Sequence, residues 1–406
     1  MLYDNAQLIS LYAHAFQQYQ NPVYKTIVEE SLAFIQREMT SPEGLFYSAL
    51  DADSAGHEGL FYLWTLSEID KLLKGDAVIF KDYFQMNEIG FWEQDFYILM
   101  RSEQEDEIAQ KHGLSYSELQ AKISRWKSQL LEIRTKRIRP ALDDKQLVAW
   151  NALMINAYLD AYKAIGTSDY YQIAEHSLQQ LLKIMDRGNT TLYHTYNNQQ
   201  AKIEAYLDDY AFVIEALLKI YQLSFNEKYL ETAHAYLSKV IELFYHETNG
   251  MFYFSQAGQS HLAHRNIEIQ DNVIPSSNST MSKNLMLLGR LLERDDYQQI
   301  ARQMLQNIIS QLESHPSAYA NWAFVMLSDL QPQTEIAIVG KDSIELLNQL
   351  NRNYFPLLVI AGSREPSKLS LLKNRFVAEK TLLYICENHA CQLPIESVEE
   401  AILRLK

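Results

Sequence analysis

The chain has 406 residues, 47% of them apolar, and its 51 Asp+Glu set against 36 Lys+Arg give a formal net charge of −15. At ~150 residues per domain this length implies two or three domains around a sizeable core, and the acidic surplus excludes nucleic acid and membrane surfaces as expected partners, because both present negative charge. No apolar run reaches the ~18 residues of a bilayer span, no basic segment or small-residue cleavage site marks the N-terminus, and a soluble, cytoplasmic protein is expected.

Helical periodicity dominates to about residue 330, in pairs joined by short turns. The first pair is expected at 2–19 and 22–39. Leu147, Trp150, Met154, Tyr158, Ala161 and Ile165 then follow three-and-four spacing along one face of an amphipathic helix. Gly166 ends that helix, and Thr167, Ser168 and Asp169 offer capping oxygens to the next, which runs through Ile173, Leu178, Leu181 and Leu182. The same unit recurs at 207–223 with 226–245, and at 282–292 with 295–312.

The second helices align on a tyrosine. Tyr24, Tyr170, Tyr229 and Tyr297 are each followed eight residues later by a leucine, Leu32, Leu178, Leu237 and Leu305. Aromatic positions close each unit, at Phe46-Tyr47, Leu192-Tyr193, Phe252-Tyr253 and Tyr319. Repeated helical hairpins stack into an open solenoid or close into a ring. The irregular spacing and long polar inserts here favour a closed α/α toroid over 1–330, with an insert at about 76–140, since loops at one rim can grow without breaking the stack. After Gln331-Pro332-Gln333 the pattern changes to strands at 335–339, 356–361 and 380–385, alternating with helices at 343–350 and 397–405. A small α/β domain is therefore expected over 335–406.

Polar residues cluster at the hairpin joints. The stretch from Asp51 through Asp53 to Glu58 has the acid and glycine positions of a calcium loop, but Ala55 and Tyr62 stand where oxygen ligands are required. No metal or other cofactor is expected. A cationic run from Arg134 to Arg139 leads through Pro140 into Asp143, Asp144 and Lys145, with Trp150 and Asn151 beyond. The proline places both acids at a helix N-terminus, where they cap the helix or, with Arg139, Lys145 and Trp150, form a polar-ring site. Tyr206, Asp208, Asp209 and Tyr210 repeat the theme, as do Asp271, Asn272, Ser276 and Asn278. Paired carboxylates at one mouth of a ring supply an acid and a base for sugar chemistry, while Asp is also a favoured cap. The 26 tyrosines against 16 phenylalanines and 5 tryptophans suit a cleft lined by rings with polar edges, or a core filled at helix ends.

These stretches resemble the thioredoxin-domain-containing family that includes spermatogenesis-associated protein 20. The matching residues are Met1-Leu2-Tyr3-Asp4-Asn5-Ala6, the 51–59 loop with Phe61-Tyr62-Leu63-Trp64, Arg139-Pro140 with Asp143-Asp144-Lys145 and Trp150-Asn151, Leu207-Asp208-Asp209-Tyr210-Ala211, the 271–279 stretch, and Cys386 with Cys391 and Pro394. The resemblance implies a six-hairpin toroid similar to N-acylglucosamine 2-epimerases and six-hairpin glycosidases, and carries no defined reaction with it. It also leads to the expectation that a thioredoxin-like domain and at least one hairpin are missing before Met1, leaving an apolar edge that favours self-association.

Cys386 and Cys391 are the two cysteines, too few for a disulfide framework or a four-cysteine zinc site. Their spacing is wider than the usual redox or zinc motif. Two buried structural thiols, a reversible disulfide, or a metal site using His389 are the alternatives.

Two functions follow. In the first, the toroid binds or transforms a sugar, with Asp208, Asp209 and Asp143 as acid–base groups. Substrate contacts then fall to Asp51, Asp53, Glu58, Arg139, Asp144, Lys145, Trp150, Asn151, Tyr206, Tyr210, Asp271, Asn272, Ser276 and Asn278. Epimerases of this fold use inner-helix histidines, whereas His14 stands isolated here and reads as a packed core residue. In the second, the toroid is a non-catalytic scaffold that binds a client or a thioredoxin-like partner domain.

Overall fold

The computed structural model describes residues 1–102, 104–258, 264–388 and 390–406, which divide into two compact units, 1–48 with 144–406, and 49–143. The first opens with helices α1 (Leu2–Tyr19) and α2 (Pro22–Glu38). Asn21 starts α2 by accepting a hydrogen bond from Val23 N, and Pro22 at the first position loses only an amide that has no helical partner.

The inserted unit begins with a two-residue strand, Ala49–Leu50, which pairs antiparallel with Leu142–Asp143 at its far end. Between them lie α3 (Leu66–Leu73), α4 (Ala77–Tyr83), α5 (Glu105–Lys111) and α6 (Tyr116–Arg134). They enclose a separate core centred on Phe80, Leu119 and Trp126. The stretch of about 76–140 expected as an insert lies within this compact unit, 49–143. Its acidic loop is a β-hairpin, with Asp53–Ser54 against His57–Glu58. Ala55 and Gly56 turn the chain with φ values of 51° and 81°, the left-handed pair that a two-residue hairpin turn requires.

The first unit resumes with α7 (Val148–Ile165) and α8 (Ser168–Met185), then α9 (Leu207–Ser224) and α10 (Glu227–Phe244), then α11 (Ser277–Leu291) and α12 (Asp295–Ser314), and α13 (Ala320–Leu330). Burial separates the two members of each pair. Nearly every residue of α7 from Val148 to Ala161 is buried, whereas α8 buries a single stripe of Ala174, Ser177, Leu178, Leu181 and Met185. A helix apolar all round has neighbours on every side, and one with a stripe has water behind it. Helices α1, α7, α9 and α11 pack side by side in that order as the inner layer, α2, α8, α10 and α12 back them, and α13 packs beside α11 and α12. This is an α/α toroid of helical hairpins. Gln7 on α1 reaches across one mouth to donate to Val273 O at 2.8 Å, while Leu8 and Leu11 on α1 remain 51% and 60% exposed. No helix among the described residues is long and apolar enough to cross a membrane.

The tyrosine repeat marks the backing helices, where Leu32, Leu178, Leu237 and Leu305 are buried against the inner layer. Helix α11 begins five residues before its expected start. Its first turn is Ser277, Asn278, Ser279 and Thr280, polar yet buried, so hydrophobic periodicity cannot detect it.

The C-terminal part contains a four-stranded sheet. Its central strand, Thr334–Val339, runs parallel to Val359–Ser363 and antiparallel to Leu382–Glu387, which pairs in turn with Ala390–Cys391. Helices α14 (Ser343–Leu350) and α15 (Val398–Leu405) cover it. It is tied to the toroid by Gln17 on α1, which donates to Asn351 O at 2.5 Å, and by Gln222 on α9, which accepts from Ile360 N at 3.0 Å.

Candidate functional site

The inner helices begin at one mouth of the toroid, where three of them share a recurrent fastening. Asn151 on α7 accepts from Phe46 N at 2.7 Å and donates to Phe46 O and Leu147 O. Asn278 on α11 accepts from Phe252 N at 2.9 Å and donates to Phe252 O and Glu268 O. On α9 the phenol of Tyr210 accepts from Leu192 N at 2.9 Å. In each case an inner helix grips the backbone at the aromatic position that closes the preceding hairpin. All three side chains are buried, and both asparagine amides donate fully to backbone.

Asp208 and Asp209, adjacent in the first turn of α9, differ sharply. Asp209 is completely buried. Its Oδ1 accepts from Ala149 N at 3.0 Å, joining the starts of α7 and α9. Its Oδ2 accepts from Tyr206 N at 2.9 Å and meets His194 Nδ1 at 2.8 Å. Asp208 is half-buried, and its Oδ1 accepts from Asp209 N at 3.0 Å. Burial raises the Asp208 carboxyl well above the ordinary aspartate range, and the negative charges of Asp209 and Glu268 add to the effect against the attraction of His194. For His194 burial disfavours the charge, but the hydrogen bond and attraction of Asp209 prevail and raise its pKa. The two neighbours therefore differ electrostatically, the Asp208 carboxyl being shifted toward its neutral form and the His194 imidazole toward its charged form.

His194 lies on the strand Thr191–Asn197, which pairs with Gln146–Leu147 just ahead of α7. This pairing carries the imidazole to the start of α9. Tyr206 stacks on Phe254, with centroids 5.1 Å apart and an interplanar angle of 11°, and His194 packs edge-on against Tyr206. Glu268 accepts from Ser277 N at 3.0 Å at the start of α11. Neither His194 nor Glu268 was legible as a site residue. His194 is a single polar side chain in an alternating strand, and Glu268 precedes the Asp271 cluster by three positions in irregular chain.

The remaining candidates fall into distinct places. Asp271 is a loop fastener, accepting from Ser276 N, Ser279 Oγ and Asn321 N. Ser276 caps α11 through Ser279 N, and Asn272 is exposed. Asp144 accepts from Asn197 Nδ2 at 2.6 Å, Lys145 is exposed, and Trp150 packs edge-on against Tyr3 at 4.7 Å. Asp143 and Asp144 do not occupy the first helical turn expected from Pro140. Asp143 ends the strand Leu142–Asp143, and α7 starts only at Val148. Asp51, Asp53, Glu58, Arg139 and Asp143 belong to the 49–143 unit. There the cationic run turns inward. Arg137 donates to Leu63 O at 2.5 Å and to Glu68 while lying over Trp64, and Arg139 lies over Phe61.

Cys386 and Cys391 face each other across paired strands and form a disulfide, so they are not two free thiols. Arg375 donates to both sulfurs, at 3.2 and 3.0 Å. His389, the third member of the conceivable metal set, lies outside the described residues. His14 is not packed core either. Its ring is 3.4 Å from Asp160, at a cavity in the other half of the inner layer.

No family model matches the chain. Among solved structures, a GH76 α-mannanase of Bacteroides thetaiotaomicron is 9% identical, with 96% of this chain and 82% of that one covered at a TM-score of 0.49. A sugar epimerase from a ruminal bacterium is 10% identical, with 76% and 60% covered at 0.46. Likenesses at this level lend no chemistry to the chain. Sequence relatives are more informative. An uncharacterized protein of Caenorhabditis elegans is 28% identical over 98% of this chain and 60% of its own length. Spermatogenesis-associated protein 20 of mouse and of human is 27% identical over 97% of this chain and 56% of its own length. The chain thus spans between half and two thirds of the relatives it matches, and over nearly its whole length it is a homologue of spermatogenesis-associated protein 20.

Proposed function

We propose that the chain is a carbohydrate-active toroid whose reacting centre is the α9 mouth. Asp208 acts as proton donor to a sugar oxygen. Asp209 is a positioning residue, because its oxygens are taken up by Ala149 N, Tyr206 N and His194. The stacked ring of Tyr206 offers an apolar face to a pyranose, and Glu268 is the nearby carboxylate available as a base. What supports this reading is the half-buried Asp208 carboxyl, whose pKa burial and neighbouring acids raise, next to the Asp209–His194 pair.

A panel of mono- and oligosaccharides tested by thermal shift and by product analysis decides the matter. The expected outcome is a stabilising ligand whose turnover falls by about 10²-fold or more in Asp208→Asn while its binding persists. A panel giving neither shift nor turnover sinks the proposal. The scaffold reading is favoured by one observation, that Asn151, Asn278, Tyr210 and Asp209 all serve the backbone. A thioredoxin-like protein that binds the chain, with no sugar doing so, is its expected signature.

A further inference from the structure

The inner helices enclose a cavity of about 540 Å³ in the half of the toroid remote from Asp208, bounded on one side by residues 351–360 of the C-terminal part. Lys219 on its wall lies roughly 16 Å along α9 from Asp208, at ~1.5 Å of rise per residue. The volume is within the ~300–1,000 Å³ range of small-molecule sites.

Lys163, Lys219, Lys283 and Arg290 line it together with Asp160 and Glu215, and Arg290 is further attracted by Glu335 and Asp329. Lys219 is matched by Asp160 at 2.9 Å, and Lys283 donates to Glu215. No hydrogen bond or ion pair among the described residues reaches the ammonium of Lys163; burial lowers its pKa, Asp160 opposes that, and the like charge of Lys219 adds to it. Arg290 is 4% exposed, and although its Nη2 donates to Ser328 O at 2.6 Å, its Nε has no partner. Asn351, 3% exposed, has neither amide atom partnered by protein. Buried donors are normally satisfied, and a cavity with several unsatisfied ones beside a lysine that has no ion-pair partner among the described residues is complementary to an acceptor-rich anion. Apolar side chains, Phe324, Val325, Phe355 and Leu358, also line it.

We propose that this cavity binds a small organic anion, a carboxylate or phosphate ester, whose acidic group is held by Lys163, and whose apolar body lies along the wall to which Phe324 and Phe355 belong. The site is separate from the α9 mouth, and holds or fails independently of the sugar reading.

The test uses the full chain and 8-anilinonaphthalene-1-sulfonate, an aromatic anion, with N-phenyl-1-naphthylamine as its uncharged counterpart, each titrated by fluorescence and calorimetry. One sulfonate is expected per chain, more tightly bound than the neutral probe and weakened by added salt. Lys163→Gln is expected to weaken the sulfonate about tenfold, as loss of one charge-assisted contact does, and Lys163→Glu to abolish its binding. Benzoate or phenyl phosphate displaces the probe, and whichever displaces it at lower concentration identifies the head group. Equal affinity for the two probes, displacement by neither anion, or unchanged sulfonate affinity in Lys163→Gln overturns the proposal. The two-probe comparison on the unaltered chain needs no variant to fold.

Discussion

The two halves of the inner layer use the same helices for opposite electrostatic purposes. Where the helices begin, α9 presents Asp208 and Asp209, and where they end it presents Lys219, opposite Lys163 and His14. Helix ends carry partial charges that favour acids at the start and cations at the finish. The difference lies in how completely each charge is answered. At the mouth, Asp209 meets two backbone amides and an imidazole, so its charge is part of the scaffold. In the cavity, Asp160 is answered by Lys219 and His14, while Lys163 is left over. Full satisfaction marks structure, and incomplete satisfaction marks a place with room for something else.

The largest test of this contrast is Asp209→Ala. It strips the acceptor from one buried and two partly buried donors and is expected to cost about 3–5 kcal/mol, the range for breaking a buried charged pair. Chemical denaturation measures it, and a variant as stable as the parent would show that the clamp is not structural. Asp160→Asn comes next, at about 3 kcal/mol near neutral pH. Burial opposes the Asp160 charge, but Lys219 and His14 overcome it and hold the carboxyl well below the usual range. Its contribution is therefore present above the unfolded value of 3.8 and lost as pH falls through the depressed folded value. Parent and variant should converge in acid, and a gap that persists there contradicts the ion-pair account. Asn151→Ala and Asn278→Ala are each expected to cost about 2 kcal/mol by leaving a buried amide unpaired, and a double variant should be additive because the two serve different hairpins.

The smallest effect has the opposite sign. Asp208 has a raised pKa, so its stabilising contribution is present below 3.8 and is lost as pH rises through the folded value. Asp208→Asn should flatten that decline and be no less stable than the parent at neutral pH. Melting curves across pH check this, and a steeper decline in the variant would contradict a raised Asp208 pKa.

The helical hairpins were legible because their apolar spacing and caps agree, as at Pro22 and Gly166. The sheet around Thr334–Val339 was legible as apolar runs, although Ala390–Cys391 is too short to register. The start of α11 was hidden by a polar face turned inward, and α13 carries no cap signal from its own side chains. At the site, local sequence identifies acids at helix starts without separating a buried clamp from a reactive carboxyl. Asp208 and Asp209 are neighbours with different fates, decided by Ala149, His194 and Glu268, which lie 14 to 60 positions away along the chain. His14 looked isolated for the same reason, since Asp160 is brought to it by the packing of α1 on α7.

The inserted unit enters and leaves through almost a single point. Ser48 Oγ donates to Lys145 O at 2.6 Å, and the next residues inward, Ala49 and Asp143, are paired strand partners. Chain segments that meet this way can be exchanged as a cassette, because the host needs only a short turn to reconnect. A chain with 49–143 replaced by a two-residue turn should therefore still close the Phe46–Asn151 fastening. The toroid could then lose or acquire a whole additional lobe at this joint without rearranging the ring.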